Sequence, residues 1–128
     1  MNLRATLGGL LGRGNGGAGT AHWRVQRTTA LVLVPLTFWL LFALARLPLA
    51  DHAATARWLG AGLNPLLLAL TLLAIYRHSS LGVEVIITDY LHGPALRNAA
   101  LQANRYGHLA LLVAGLYAVV RLYLGSAA

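Results

Sequence analysis

Arg77, His78, Glu84, Asp89 and Tyr90 stand together at the end of a long apolar stretch, and they carry most of the chemistry this chain can offer. A neutral imidazole is a hydrogen-bond partner or a metal ligand. A phenol donates a hydrogen bond, and a carboxylate accepts several or balances a cation. Ionisable groups at membrane depth are costly, so such a cluster marks a functional site. His78 and Asp89 share one helix face, about 16 Å apart along the axis. Gly82 lies on that face between them and leaves room for something flat to approach the backbone. Arg77 and Glu84 share another face about 10 Å apart, within reach of pairing by long side chains.

The elements that position these residues are membrane helices. Of 128 residues, 58% are apolar and 10% charged, too few charges for a water-soluble surface. Segments of about 20 apolar residues span a bilayer, and the chain has room for three. The fold class expected is all-α: an integral membrane protein of three transmembrane helices in an up-down-up bundle. A flexible Gly/Arg-rich tail, 1–27, precedes the three-helix domain, 28–124. The helices are placed at about 28–47, 65–91 and 107–124. Asn64 is read as the cap and Pro65 as the first residue of the second helix, and Gly93-Pro94 ends it. Residues 49–62 and 95–106 read as loops. Ala110, Ala114 and Ala118 form a small-residue stripe suited to helix packing. His22, His52, His92 and His108 fall at helix ends or in loops and read as structural.

The net charge of +7 comes from arginine alone, with no lysine. The arginines cluster at the ends of apolar segments, which orients a membrane protein and does not make a nucleic-acid stripe. Their excess near the N-terminus and after the second helix puts the N-terminus and the Asp89–Tyr90 end in the cytoplasm and the C-terminus outside. There is no cysteine, so the chain cannot hold an iron–sulfur cluster through its own thiolates.

His78 has two readings. It is an axial ligand for haem iron, which would need a second histidine from another subunit, or it hydrogen-bonds a neighbouring helix. Tyr90 is a donor to a quinone carbonyl with Asp89 beside it, or an aromatic at the membrane interface. Arg27, at the start of the first helix, pairs with Asp89 or a haem propionate, or simply anchors the helix.

Three motifs resemble the smaller hydrophobic membrane anchor of succinate dehydrogenase, respiratory complex II. They are His22-Trp23-Arg24-Val25-Gln26-Arg27-Thr28-Thr29-Ala30 leading into the first helix, His78-Ser79-Ser80-Leu81-Gly82, and Asp89-Tyr90. The resemblance covers almost the whole chain after the tail. It implies that His78 is a haem b axial ligand, that Tyr90 contacts ubiquinone with Asp89 in support, and that Arg27 lies near the haem propionates or quinone pocket. It also implies three partners: a flavoprotein with covalent FAD, an iron–sulfur subunit and a second, C-type anchor that supplies the other haem histidine. Two positions depart from the family pattern. Glu84 stands where many members have Gln, and Ser79 where many have Ala.

The function expected is a non-catalytic anchor in succinate:quinone oxidoreductase, serving the tricarboxylic acid cycle and electron transport in a bacterial inner membrane in preference to a mitochondrial one. Two alternatives remain open on the residues alone. One is a structural anchor without a redox site. The other is a small ion or solute transporter using Arg77, Glu84 and Asp89, although no internal repeat of the transporter kind is present.

Overall fold

The computed structural model of the chain describes residues 18–47 and 50–127. The expected tail up to residue 17 lies outside the described residues. Among the described residues four helices follow in order: α1, Ala18–Arg46; α2, His52–Gly60; α3, Asn64–Tyr90; and α4, Pro94–Ala127. Within α1, α3 and α4, the segments Thr20–Arg46, Asn64–Tyr90 and Pro94–Gly125 are long and apolar enough to cross a membrane. Short α2 links the first and second spans.

Helix α3 packs against both α1 and α4, while α1 and α4 do not touch each other among the described residues. The three spans form a layer with α3 in the middle. Only the seams are buried. Leu36, Ala43 and Leu47 at the α1 side and Ala74 and Leu81 of α3 are among the few buried side chains. Phe38, Phe42, Leu111 and Val113 are exposed, as expected where lipid or a partner subunit replaces water.

The α1–α3 seam follows from sequence spacing. His22, Gln26, Thr29, Leu33, Leu36, Leu40, Ala43 and Leu47 recur at alternating steps of four and three, and all are buried or half-buried. That repeat keeps one helix face on a partner along its whole length. On the other side of α3, Gly115 of α4 meets Leu72, where an added Cβ would stand 3.0 Å from Leu72 Cδ1. The Ala110, Ala114 and Ala118 stripe is exposed and is not among the buried seam residues.

Several helix ends differ from the sequence-based bounds. α1 begins at Ala18, within the stretch expected to be tail. Residues 52–60, expected as loop, are helical because Asp51 caps them: its Oδ1 accepts from Ala54 N at 3.0 Å. Asn64 is not the cap of α3. Its amide donates to Trp58 O at 2.6 Å and ties the start of α3 to the end of α2. Gly62, at φ 58°, makes the turn between them. Pro94 both stops α3 and starts α4, so 94–106 is helix where a loop was expected. Pro at the first helical position needs no N–H, and Gly93 O accepts from Arg97 N at 2.8 Å to close the first turn.

The contacts fix the antiparallel register. His78 meets Thr29 on one side, and Ser79 meets His108 on the other, so these four residues mark one level across the layer. From Thr29 to Arg46 the apolar part of α1 runs about 26 Å, close to the roughly 30 Å of a hydrocarbon core. Beyond that level, away from Arg46, the helices carry His22, Arg24, Gln26, Glu84, Asp89, Gln102, Asn104 and Arg105. His78 therefore sits at the edge of the shared apolar band, not at its middle as the length of α3 alone suggests.

Candidate functional site

His78 is held from α1. Its Nδ1 lies 3.3 Å from Gln26 O and 3.2 Å from Thr29 Oγ1. A backbone carbonyl only accepts, so Nδ1 carries the proton. The Thr29 hydroxyl has its own acceptors, Val25 O at 2.8 Å and Gln26 O at 3.0 Å, which leaves its oxygen free to accept from the imidazole. In the neutral ring the lone pair is then on Nε2. Nε2 has no hydrogen-bond partner among the described residues. This is how protein ligand histidines are prepared: one nitrogen donates to a fixed acceptor, and the other faces the metal. Gly82 packs on the same seam, where a Cβ would come 3.6 Å from Gln26 Nε2. α1 thus fills part of the space that the sequence reading left for a flat group.

Glu84 sits farther out on the α1–α3 seam. Its Oε2 is 3.6 Å from His22 Nε2, longer than a hydrogen bond and within ion-pair range of a protonated imidazole. The expected Arg77–Glu84 pair is not formed. Both residues instead line a cleft of about 400 Å³ between α3 and α4, with Tyr76, Ser80, Gln102 and Arg105. On that side Ser79 Oγ is 2.6 Å from His108 Nε2, and His108 Nδ1 is 2.9 Å from Asn104 O. Asn104 Nδ2 donates to Ser80 O at 2.9 Å. By the same logic as for His78, His108 is protonated at Nδ1 and accepts from Ser79.

Arg27 does not pair with Asp89. It is level with His78, and Asp89 lies about 16 Å farther along the axis. The Arg27 guanidinium stacks 4.8 Å over the Trp23 ring instead. Asp89 and Tyr90 close α3 at its exposed end. Tyr90 is 77% exposed, and its hydroxyl has no partner among the described residues.

The residues predicted from sequence therefore fall into two places. His78 is on the α1 seam, and Asp89 with Tyr90 is about 16–18 Å away at the end of α3. Gln26, Thr29 and His108 were given no role from sequence. The four-three repeat of α1 was the signal that Gln26 and Thr29 face α3. No group of three or more His, Cys, Asp or Glu side chains that could hold a metal ion by themselves occurs among the described residues.

Three helices of membrane-crossing length with exposed apolar faces define an all-helical integral membrane protein. A family model for the succinate dehydrogenase/fumarate reductase transmembrane subunit matches residues 1–122. The chain belongs to that family and is a membrane anchor of it. A succinate dehydrogenase hydrophobic membrane anchor subunit from Rickettsia bellii (strain RML369-C) is 29% identical over 118 residues, 92% of this chain and 94% of its own length. Subunits of the same name from Rickettsia typhi (strain ATCC VR-144 / Wilmington) and Rickettsia prowazekii (strain Madrid E) are 31% and 30% identical over 84 residues, 66% of this chain and 67% of each of theirs. No solved structure matches the chain.

Proposed function

We propose that this chain anchors the soluble subunits of a succinate:quinone oxidoreductase, supplies one axial ligand to a shared haem b, and forms one wall of the ubiquinone site. The observation that carries the reading is the fixed Nδ1–H of His78, which leaves Nε2 as a lone-pair donor. One prepared histidine per chain fits a haem shared with a second, C-type anchor that brings the other ligand. The chemistry such a haem supplies is one-electron storage at an edge of the apolar band.

The remaining work falls to the side chains of this chain. Gln26 O and Thr29 Oγ1 hold the imidazole plane and raise the basicity of Nε2. The Tyr90 hydroxyl donates to a quinone carbonyl, which lowers the cost of negative charge developing on that oxygen. Asp89 orients a basic or protonated group beside it. Arg27, clamped on Trp23, offers its guanidinium at the level of His78, where a propionate would lie. Quinone reduction consumes two protons, so a polar end facing water suits it. The arginine distribution favours placing that end, with the N-terminus, in the cytoplasm and the C-terminus in the periplasm. The partners that follow are an FAD-bearing flavoprotein, an iron–sulfur subunit and the C-type anchor, in a bacterial inner membrane.

The test is isolation of the complex from native membranes through a tag on this chain, with identification of the co-purified subunits and assay of succinate-driven ubiquinone reduction. The expected result is a four-subunit complex with that activity. Recovery of this chain without a flavoprotein and an iron–sulfur protein would overturn the reading.

A further inference from the structure

The cleft between α3 and α4 opens on the other side of α3 from His78, away from the Asp89–Tyr90 end, and shares Glu84 with the α1–α3 seam, where Oε2 stands 3.6 Å from His22 Nε2; the proposed function gives it no role. Its charged groups are ordered along the helix axis. Arg77 stands at the edge of the apolar band, next to the His78 level. Arg105 on α4, about one turn from His108, comes roughly 7 Å farther out. Glu84 comes last, about 10 Å beyond Arg77. Arg77 and Arg105 form no ion pair among the described residues, and both are exposed. Tyr76, Ser80 and Gln102 add neutral hydrogen-bonding groups to the same walls.

In the other direction, toward the band, the same helix faces turn apolar. One and two turns from Arg77 stand Leu73 and Leu70, 42% and 43% exposed. One and two turns from Arg105 stand Leu109 and Val113, 43% and 59% exposed. Two unpaired guanidiniums at headgroup depth, above an exposed apolar track and below a carboxylate, have the polarity order of one amphiphile. Guanidiniums bind phosphate oxygens through paired, charge-assisted hydrogen bonds. The cleft, at about 400 Å³, is in the size range of small-molecule sites.

We propose that this cleft seats the headgroup of a membrane phospholipid. Its phosphodiester sits between Arg77 and Arg105, and its acyl chains lie along Leu73 and Leu109. Glu84 selects for a headgroup with an ammonium group beyond the phosphate, so phosphatidylethanolamine fits better than phosphatidylglycerol.

The test is native mass spectrometry of the intact complex released from membranes. The wild-type complex is first equilibrated with vesicles of equal phosphatidylethanolamine, phosphatidylglycerol and phosphatidylcholine. The expected result is one retained phosphatidylethanolamine. In Arg77→Gln and Arg105→Gln complexes it dissociates about tenfold faster or more, since each change removes a charged donor. Arg77→Lys keeps a cation and retains it. Glu84→Gln shifts the retained lipid toward phosphatidylglycerol. Four results would overturn the proposal: no preference among lipids in the wild type, equal retention in the glutamine variants, displacement of the bound mass by inorganic phosphate alone, or loss of a partner subunit in place of the lipid.

Discussion

Replacing Thr29 with valine tests how His78 is prepared. Valine keeps the β-branched shape and removes the hydroxyl oxygen that stands 3.2 Å from His78 Nδ1. Little else is lost. The Thr29 hydroxyl otherwise donates to Val25 O and Gln26 O, carbonyls of its own helix. His78 keeps Gln26 O at 3.3 Å as its remaining acceptor. One neutral hydrogen bond contributes about 0.5–1.5 kcal/mol net. That corresponds to a roughly 2- to 13-fold change in an equilibrium. Loss of a ligand histidine's whole outer-shell support costs about 10- to 100-fold in affinity, so Thr29→Val falls at or below the lower end of that range. The assay is haem transfer from the solubilised complex to an excess of a haem-scavenging globin, followed by absorbance. Thr29→Val loses haem faster by the stated factor, and Thr29→Ser, which keeps the hydroxyl, behaves as the wild type. Equal rates in all three, or equal loss in the serine and valine variants, would refute the claim that the Thr29 oxygen supports His78.

Two further outcomes follow from the geometry. Gly115→Ala places a Cβ 3.0 Å from Leu72 Cδ1, tighter than most carbon contacts, so the Leu72 side chain must shift by a few tenths of an ångström within the α3–α4 seam. Overpacking of this kind costs about 1–3 kcal/mol. It lowers the thermal midpoint of the detergent-solubilised complex, and adding Leu72→Ala recovers part of the loss. On the proposed quinone site, Tyr90→Phe removes one hydrogen bond to the quinone, and the hydroxyl it deletes has no partner among the described residues. It lowers kcat/KM for ubiquinone roughly 2- to 13-fold while subunit composition stays intact, and unchanged quinone kinetics would remove Tyr90 from the site.

Much of the architecture was legible in the sequence. Arginines and prolines bracket three apolar runs of membrane-spanning length, and that pattern gives the number of spans because an open chain satisfies its backbone in lipid only as helix. The ends of the helices were less legible. Asp51 begins α2 through a side-chain cap that a loop reading overlooks, and Asn64, which looks like a cap, bonds back to Trp58 instead. Composition near 94–106 is polar enough to resemble a loop, yet Pro94 starts a helix there. For the candidate site, His78 stood out by type and depth, but its partners did not. Gln26 and Thr29 lie about 50 residues earlier, and only the antiparallel register brings them to the imidazole. The Arg77–Glu84 pair failed for a reason that spacing cannot reveal. A cleft opens on their shared side, and the Glu84 carboxylate lies nearest His22 across the other seam.

The central claim is that His78 ligates haem iron, and the most direct measurement is a dithionite-reduced minus oxidised visible spectrum of the purified complex with His78 and with His78→Ala. The account predicts a b-type haem signal in the first, lost or markedly altered in the second, with the same subunits present in both. An unchanged haem spectrum in the His78→Ala complex would contradict it.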